Sequence, residues 1–100
     1  MKTLSEFKRY IASGGTYEVL EHDVWNECVG EIRKATRVQN NGFYAKAINR
    51  DINCRTNKAN GGIGIMNWYG KASEYQFNGD ILTRFNSSGG VWYRFRILDK

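Results

Sequence analysis

One hundred residues with 41% apolar and 14% aromatic side chains make one small globular domain, with no room for a second. A charged fraction of 25% and the absence of proline exclude disordered and polyproline classes, and no apolar run is long enough to span a membrane. Fifteen basic against ten acidic residues give +5, unevenly: residues 1–32 hold three bases and six acids, residues 33–100 twelve bases and four acids. A chain polarised in this way can present a basic side to a polyanion. Charges interrupt the first nine residues, so no signal peptide is expected and the protein is expected in the cytoplasm.

The chain opens on a predicted helix over residues 3–13. Thr3-Leu4-Ser5-Glu6 is a capping box, Leu4, Phe7 and Ile11 fall on one helical face, and Gly14-Gly15 stops the helix. Everything after it reads as β. Tyr17 and Val19 alternate with Glu18, and Ile32, Thr36 and Val38 alternate with Arg33, Ala35 and Arg37. Asn41-Gly42 is a type I′ hairpin signal, after which Phe43–Ile48 returns. Residues 49–62 are a long polar loop, and Ile63–Tyr69 is another strand. Tyr75-Gln76-Phe77 leads into a second hairpin signal, Asn78-Gly79, then into Ile81–Phe85. Ser87-Ser88-Gly89-Gly90 turns the chain into Val91–Leu98, whose Val91, Tyr93, Phe95 and Ile97 share one face.

The expected class is therefore α+β, mainly β. A single domain holds one N-terminal helix and, over residues 16–98, a curled antiparallel sheet of about six strands. Closure as a small SH3-like or OB-like barrel would remove exposed edges, and an open sheet with the helix across one face is the alternative.

No catalytic motif is present, and an enzyme is not expected. The lone His22 beside Asp23 is expected at the surface. Cys28 and Cys54 lie 26 apart without a tight ligand pair, so neither a metal nor a cofactor is expected and both cysteines are expected to be reduced. The basic hairpin carries more information. With Asn41-Gly42 as the turn, Arg37 faces Lys46, Arg33 faces Arg50 and Gln39 faces Tyr44. All six point away from a core face of Ile32, Thr36, Val38, Phe43, Ala45 and Ala47. Like charges opposed across a sheet invite an anion, and a tyrosine among them suits stacking on bases. A second patch of Trp92, Arg94 and Arg96 is expected opposite the Tyr93/Phe95/Ile97 row.

Three stretches add a resemblance: Leu4-Ser5-Glu6-Phe7-Lys8-Arg9-Tyr10-Ile11, Thr36-Arg37-Val38-Gln39-Asn40-Asn41-Gly42-Phe43 and Trp68-Tyr69-Gly70-Lys71-Ala72-Ser73-Glu74-Tyr75-Gln76-Phe77. Together they resemble small accessory proteins of phages and prophages of Gram-positive bacteria, which join an N-terminal helix to an SH3-like β domain. In this chain Gly70 stands where those proteins have proline. The resemblance implies an accessory product that acts by binding: an inhibitor of a host nucleic-acid-handling or defence system, such as a CRISPR effector. A plain nucleic-acid-binding regulator or architectural module, or an oligomeric sponge for a signalling nucleotide, are the other readings.

Overall fold

The computed structural model describes residues 2–22, 29–39, 42–49, 66–67 and 72–98. Helix α1 spans Leu4–Ala12. Thr3 caps it, its hydroxyl accepting from the Glu6 amide at 3.1 Å, and the Glu6 carboxylate reaches back to the Lys2 amide at 3.0 Å. The helix ends in a Schellman turn. The Gly14 amide donates to the Ile11 carbonyl, and the Gly15 amide donates to the Tyr10 carbonyl. Gly14 sits at φ +83, a conformation that favours glycine. Tyr10 then locks the corner. Its hydroxyl donates to the Thr16 carbonyl at 2.6 Å and accepts from the Thr16 amide at 2.9 Å. Gly15 is the residue that lets this ring in, since a Cβ there would lie 2.3 Å from it.

Among the described residues seven strands follow: β1 (Thr16–His22), β2 (Ile32–Gln39), β3 (Gly42–Ala47), β4 (Met66–Asn67), β5 (Tyr75–Asn78), β6 (Ile81–Phe85) and β7 (Val91–Ile97). A short 3-10 turn at Ala72–Glu74 precedes β5. They form one antiparallel sheet in the order β4-β3-β2-β1-β7-β6-β5. The expected helix plus antiparallel sheet is therefore present. Its strands make two meanders that meet where β7 pairs with β1. The ladders run from β4 at one end to β5 at the other, and among the described residues none joins those two ends. Of the expected strand Ile63–Tyr69 only Met66–Asn67 is described, and residues 50–62 of the polar loop lie outside the described residues.

Three register shifts curl the sheet. Leu20 in β1, Thr36 in β2 and Trp92 in β7 are extra residues opposite a continuous partner strand. Each such bulge bends its strand and increases the local twist. Because side chains alternate with period two, each bulge also exchanges the faces beyond it.

The inner face carries the core. Phe7 and Ile11 of α1 join Tyr17, Val19, Ala35, Phe43, Ala45, Tyr75, Leu82, Tyr93, Phe95 and Ile97. A chain of rings crosses it. Tyr93 stacks on Phe95 at 4.4 Å, Phe95 meets Tyr17 at 4.3 Å, and Phe43 receives Tyr17 and Phe7 edge-on at 6.0 and 6.1 Å. Such pairs contribute about 0.5–1.5 kcal/mol each beyond the area they bury.

Candidate functional site

The β2–β3 hairpin is paired differently from the expectation. Gln39 faces Gly42, so the connection is residues 40–41, which lie outside the described residues, rather than Asn41-Gly42. Arg37 faces Tyr44, not Lys46, and Lys34 faces Lys46. Arg33 faces Ala47, not Arg50. The turn, one residue earlier than expected, moves Arg37 from Lys46 to Tyr44, and the bulge at Thr36 then shifts the pairing beyond it. The bulge places Arg33 and Ala35 on the inner face and Arg37 on the outer one, where strict alternation would have kept all three together.

Arg33 is thereby removed from the expected binding face. It is 1% exposed, and its Nε donates to the Glu31 carboxylate at 2.9 Å, with Glu31 itself fully buried. The facing side chain, Ala47, is small and leaves room for the long guanidinium side chain. The Tyr17 hydroxyl lies close to this pair. Burial pushes its pKa up, and the Arg33 charge opposes that push. The Gln39 side chain and Arg50 lie outside the described residues.

The outer face of the hairpin holds Lys34, Arg37, Tyr44 and Lys46. The three cations are exposed and Tyr44 is half-buried. Lys34 and Lys46 sit directly opposite each other, an arrangement that costs tenths of a kcal/mol unless an anion lies between them. The Lys34 ammonium is steadied by donating to the Gly14 carbonyl, at the negative end of α1, at 2.8 Å. The Arg37 guanidinium lies 5.2 Å from the centre of the Tyr44 ring, within cation–π range. Ile32 and Ile48 continue this face beyond the two lysines, and Ile48 is 52% exposed. Lys34 is the member that alternation from the sequence assigns to the core side. That it faces Lys46, itself an expected site residue, is found only from the register.

The second expected patch divides. Arg94 and Arg96 do lie on the outer face, opposite the buried Tyr93, Phe95 and Ile97. Both are neutralised by β1 carboxylates: Arg94 donates to Glu21 at 2.8 Å and to the Thr83 hydroxyl at 3.0 Å, and Arg96 lies 3.5 Å from Glu18. Trp92 does not share their face. As the bulged residue of β7 it packs against the core. The arginine over it is Arg84, 4.4 Å from the indole ring. Arg84 is also 5.0 Å from the Tyr75 ring, so two aromatic faces flank a buried guanidinium.

His22 is buried rather than at the surface, because the Leu20 bulge turns it inward beside Tyr93, 6.4 Å away. Burial holds the Tyr93 phenol far above its ordinary pKa, with the neighbouring Tyr75 adding to the shift. Cys28 and Cys54 lie outside the described residues. Among the described residues no group of three His, Cys, Asp or Glu side chains could hold a metal, and no helix is long and apolar enough to cross a membrane.

The outer face is therefore two electrostatic halves. On β1 and β7 the arginines face glutamates. On β2 and β3, among the described residues, Lys34, Arg37 and Lys46 belong to none of the salt bridges, which are those of Arg33, Arg94 and Arg96. No family model, no curated protein and no solved structure matches this chain.

Proposed function

We propose that this protein acts by binding rather than by catalysis, and that it inhibits a nucleic-acid-handling or defence system of a bacterial host in whose cytoplasm it works. The observation that carries the reading is the exposed set Lys34, Arg37 and Lys46 around Tyr44, on one sheet face and outside the salt bridges that occupy the other half. Two lysines held directly opposite each other keep a positive potential that an acidic partner or a nucleoprotein complex relieves. The likeness of the three sequence stretches to phage accessory proteins supplies the biological setting. No cofactor enters this function.

The test is an affinity pull-down from host lysate, with and without nuclease, comparing the wild-type protein with a Lys34→Ala/Arg37→Ala/Lys46→Ala variant. The expected result is one captured host protein or complex that the variant loses while remaining folded. Capture that is undiminished in the variant overturns the assignment of this face. The control is Arg94→Ala/Arg96→Ala, whose cations are already paired and whose loss is expected to leave capture intact.

A further inference from the structure

We propose that the outer face of β2–β3 binds single-stranded nucleic acid directly, with a base stacked on Tyr44 and backbone phosphates held by Lys34 and Lys46. The inference rests on the reading that this face is the binding face, and it names the occupant.

Three features favour a nucleic-acid strand over an acidic protein. Carboxylates and phosphates would satisfy the lysines equally, so the decision falls to the rest of the face. Arg37 and Tyr44, paired directly across the strands, place a guanidinium over an aromatic ring on an outward surface. Planar groups of these two kinds are what unstacked bases pair with, whatever the base. An acidic side chain can pair with the edge of the guanidinium but makes no use of the ring.

Spacing is the second feature. Tyr44 and Lys46 are two residues apart on one strand, about 6.7 Å along it, and Lys34 lies across from Lys46. A base on the ring therefore directs its own strand's phosphate toward the Lys34–Lys46 pair. The third feature is Ile32 and Ile48 beyond the lysines, an apolar strip against which the next sugar or base can lie. A duplex uses none of this well, because its base faces are already stacked on each other.

The test measures binding of fluorescein-labelled oligo(dT) of twenty nucleotides, an abasic strand of the same length and a twenty-base-pair duplex, by anisotropy over a salt series. The wild-type protein is expected to bind oligo(dT) more tightly than either of the others. Tyr44→Leu is expected to weaken oligo(dT) binding by about 5- to 150-fold, the range of one lost base stack, and to leave the abasic strand unaffected. Tyr44→Phe, which keeps the ring, retains binding and guards against a folding artefact. Lys34→Ala/Lys46→Ala is expected to flatten the log affinity against log salt slope by about 1.4, two single-strand phosphate contacts.

Equal binding of the abasic strand or the duplex, or an unchanged Tyr44→Leu affinity, overturns the proposal. So does the absence of oligonucleotide binding at low salt. If that absence is accompanied by a host protein still captured through Lys34, Arg37 and Lys46, the occupant is an acidic protein and the inhibitory reading stands. If capture fails as well, both fall.

Discussion

Replacing Arg33 by alanine separates a surface arginine from a core one by a wide margin. A solvated arginine on a sheet face changes stability by less than about 0.5 kcal/mol when truncated. In the fold described, Arg33 is 1% exposed and its Nε holds the fully buried Glu31 carboxylate. Removing one partner of a buried pair leaves an uncompensated charge and costs about 3–5 kcal/mol. Glu31 makes a further interaction besides Arg33, which places the expectation at the lower end, about 3 kcal/mol. For a domain of this length that lowers Tm by at least about 12 °C. It is also a large part of the 5–15 kcal/mol that such domains have in total. The assay is urea and thermal unfolding followed by circular dichroism. A companion variant tests the mechanism. Glu31→Leu/Arg33→Met removes both charges while keeping apolar volume, and it is expected to cost less than Arg33→Ala alone because no buried charge is left unpaired. A loss below about 1 kcal/mol for Arg33→Ala alone would refute the burial and place the guanidinium in water.

Gly15→Ala is expected to destabilise by about 1–3 kcal/mol through overpacking, because the new Cβ meets the Tyr10 ring at 2.3 Å; a neutral result in urea unfolding would show that the corner can open without cost. Burial raises the pKa of the Tyr17, Tyr75 and Tyr93 phenols above their ordinary value, so the folded state holds these protons more tightly than the unfolded chain. That stabilisation is complete below about pH 10 and is lost as pH rises beyond it. Phenolate absorbance at 295 nm is therefore expected to show these three tyrosines ionising only as the fold is lost, and a single ordinary titration of all six tyrosines would contradict this. Lys46→Ala is expected to leave Tm unchanged or slightly raised, since it relieves the opposition of Lys34. Glu21→Ala is expected to cost less than about 1 kcal/mol because the Arg94–Glu21 bridge is solvent-screened, and a larger loss would mean the outer ladder is a stability element.

The sequence made the local elements legible wherever one residue type answers one backbone need. Thr3 with Glu6 and Gly14 with Gly15 mark both ends of α1 without reference to anything distant. The Tyr93/Phe95/Ile97 and Phe43/Ala45/Ala47 rows were readable because those stretches alternate and bury as they alternate. β2 was not, for two reasons. A bulge leaves no mark in Ala35-Thr36-Arg37, and an inward arginine looks like an outward one until its carboxylate is found two residues earlier. Each Asn-Gly pair marks its hairpin turn to within one residue, Gln39 pairing with Gly42 and Asn78 with Ile81. In β2–β3 that single residue moves Arg37 from Lys46 to Tyr44. The candidate site consequently kept Arg37, Tyr44 and Lys46, gained Lys34 and lost Arg33. Trp92 and His22 were misplaced by the same cause, a bulge in the strand that carries each.

The meeting of β1 with β7 has a consequence for how the chain reaches this state. Tyr17 must find Ile97, its partner eighty positions away, before the middle of the sheet exists. Each meander can form early from neighbours in the chain, but each is then a half-sheet with an open edge of unpaired amides and carbonyls. Loop-closure entropy makes the joining of the halves the slow step. During synthesis β1 emerges first and waits for nearly the whole chain, with Tyr17 and Val19 uncovered on one side. The interval before Val91–Ile97 arrives is when this protein is open to misassembly through its own central strand.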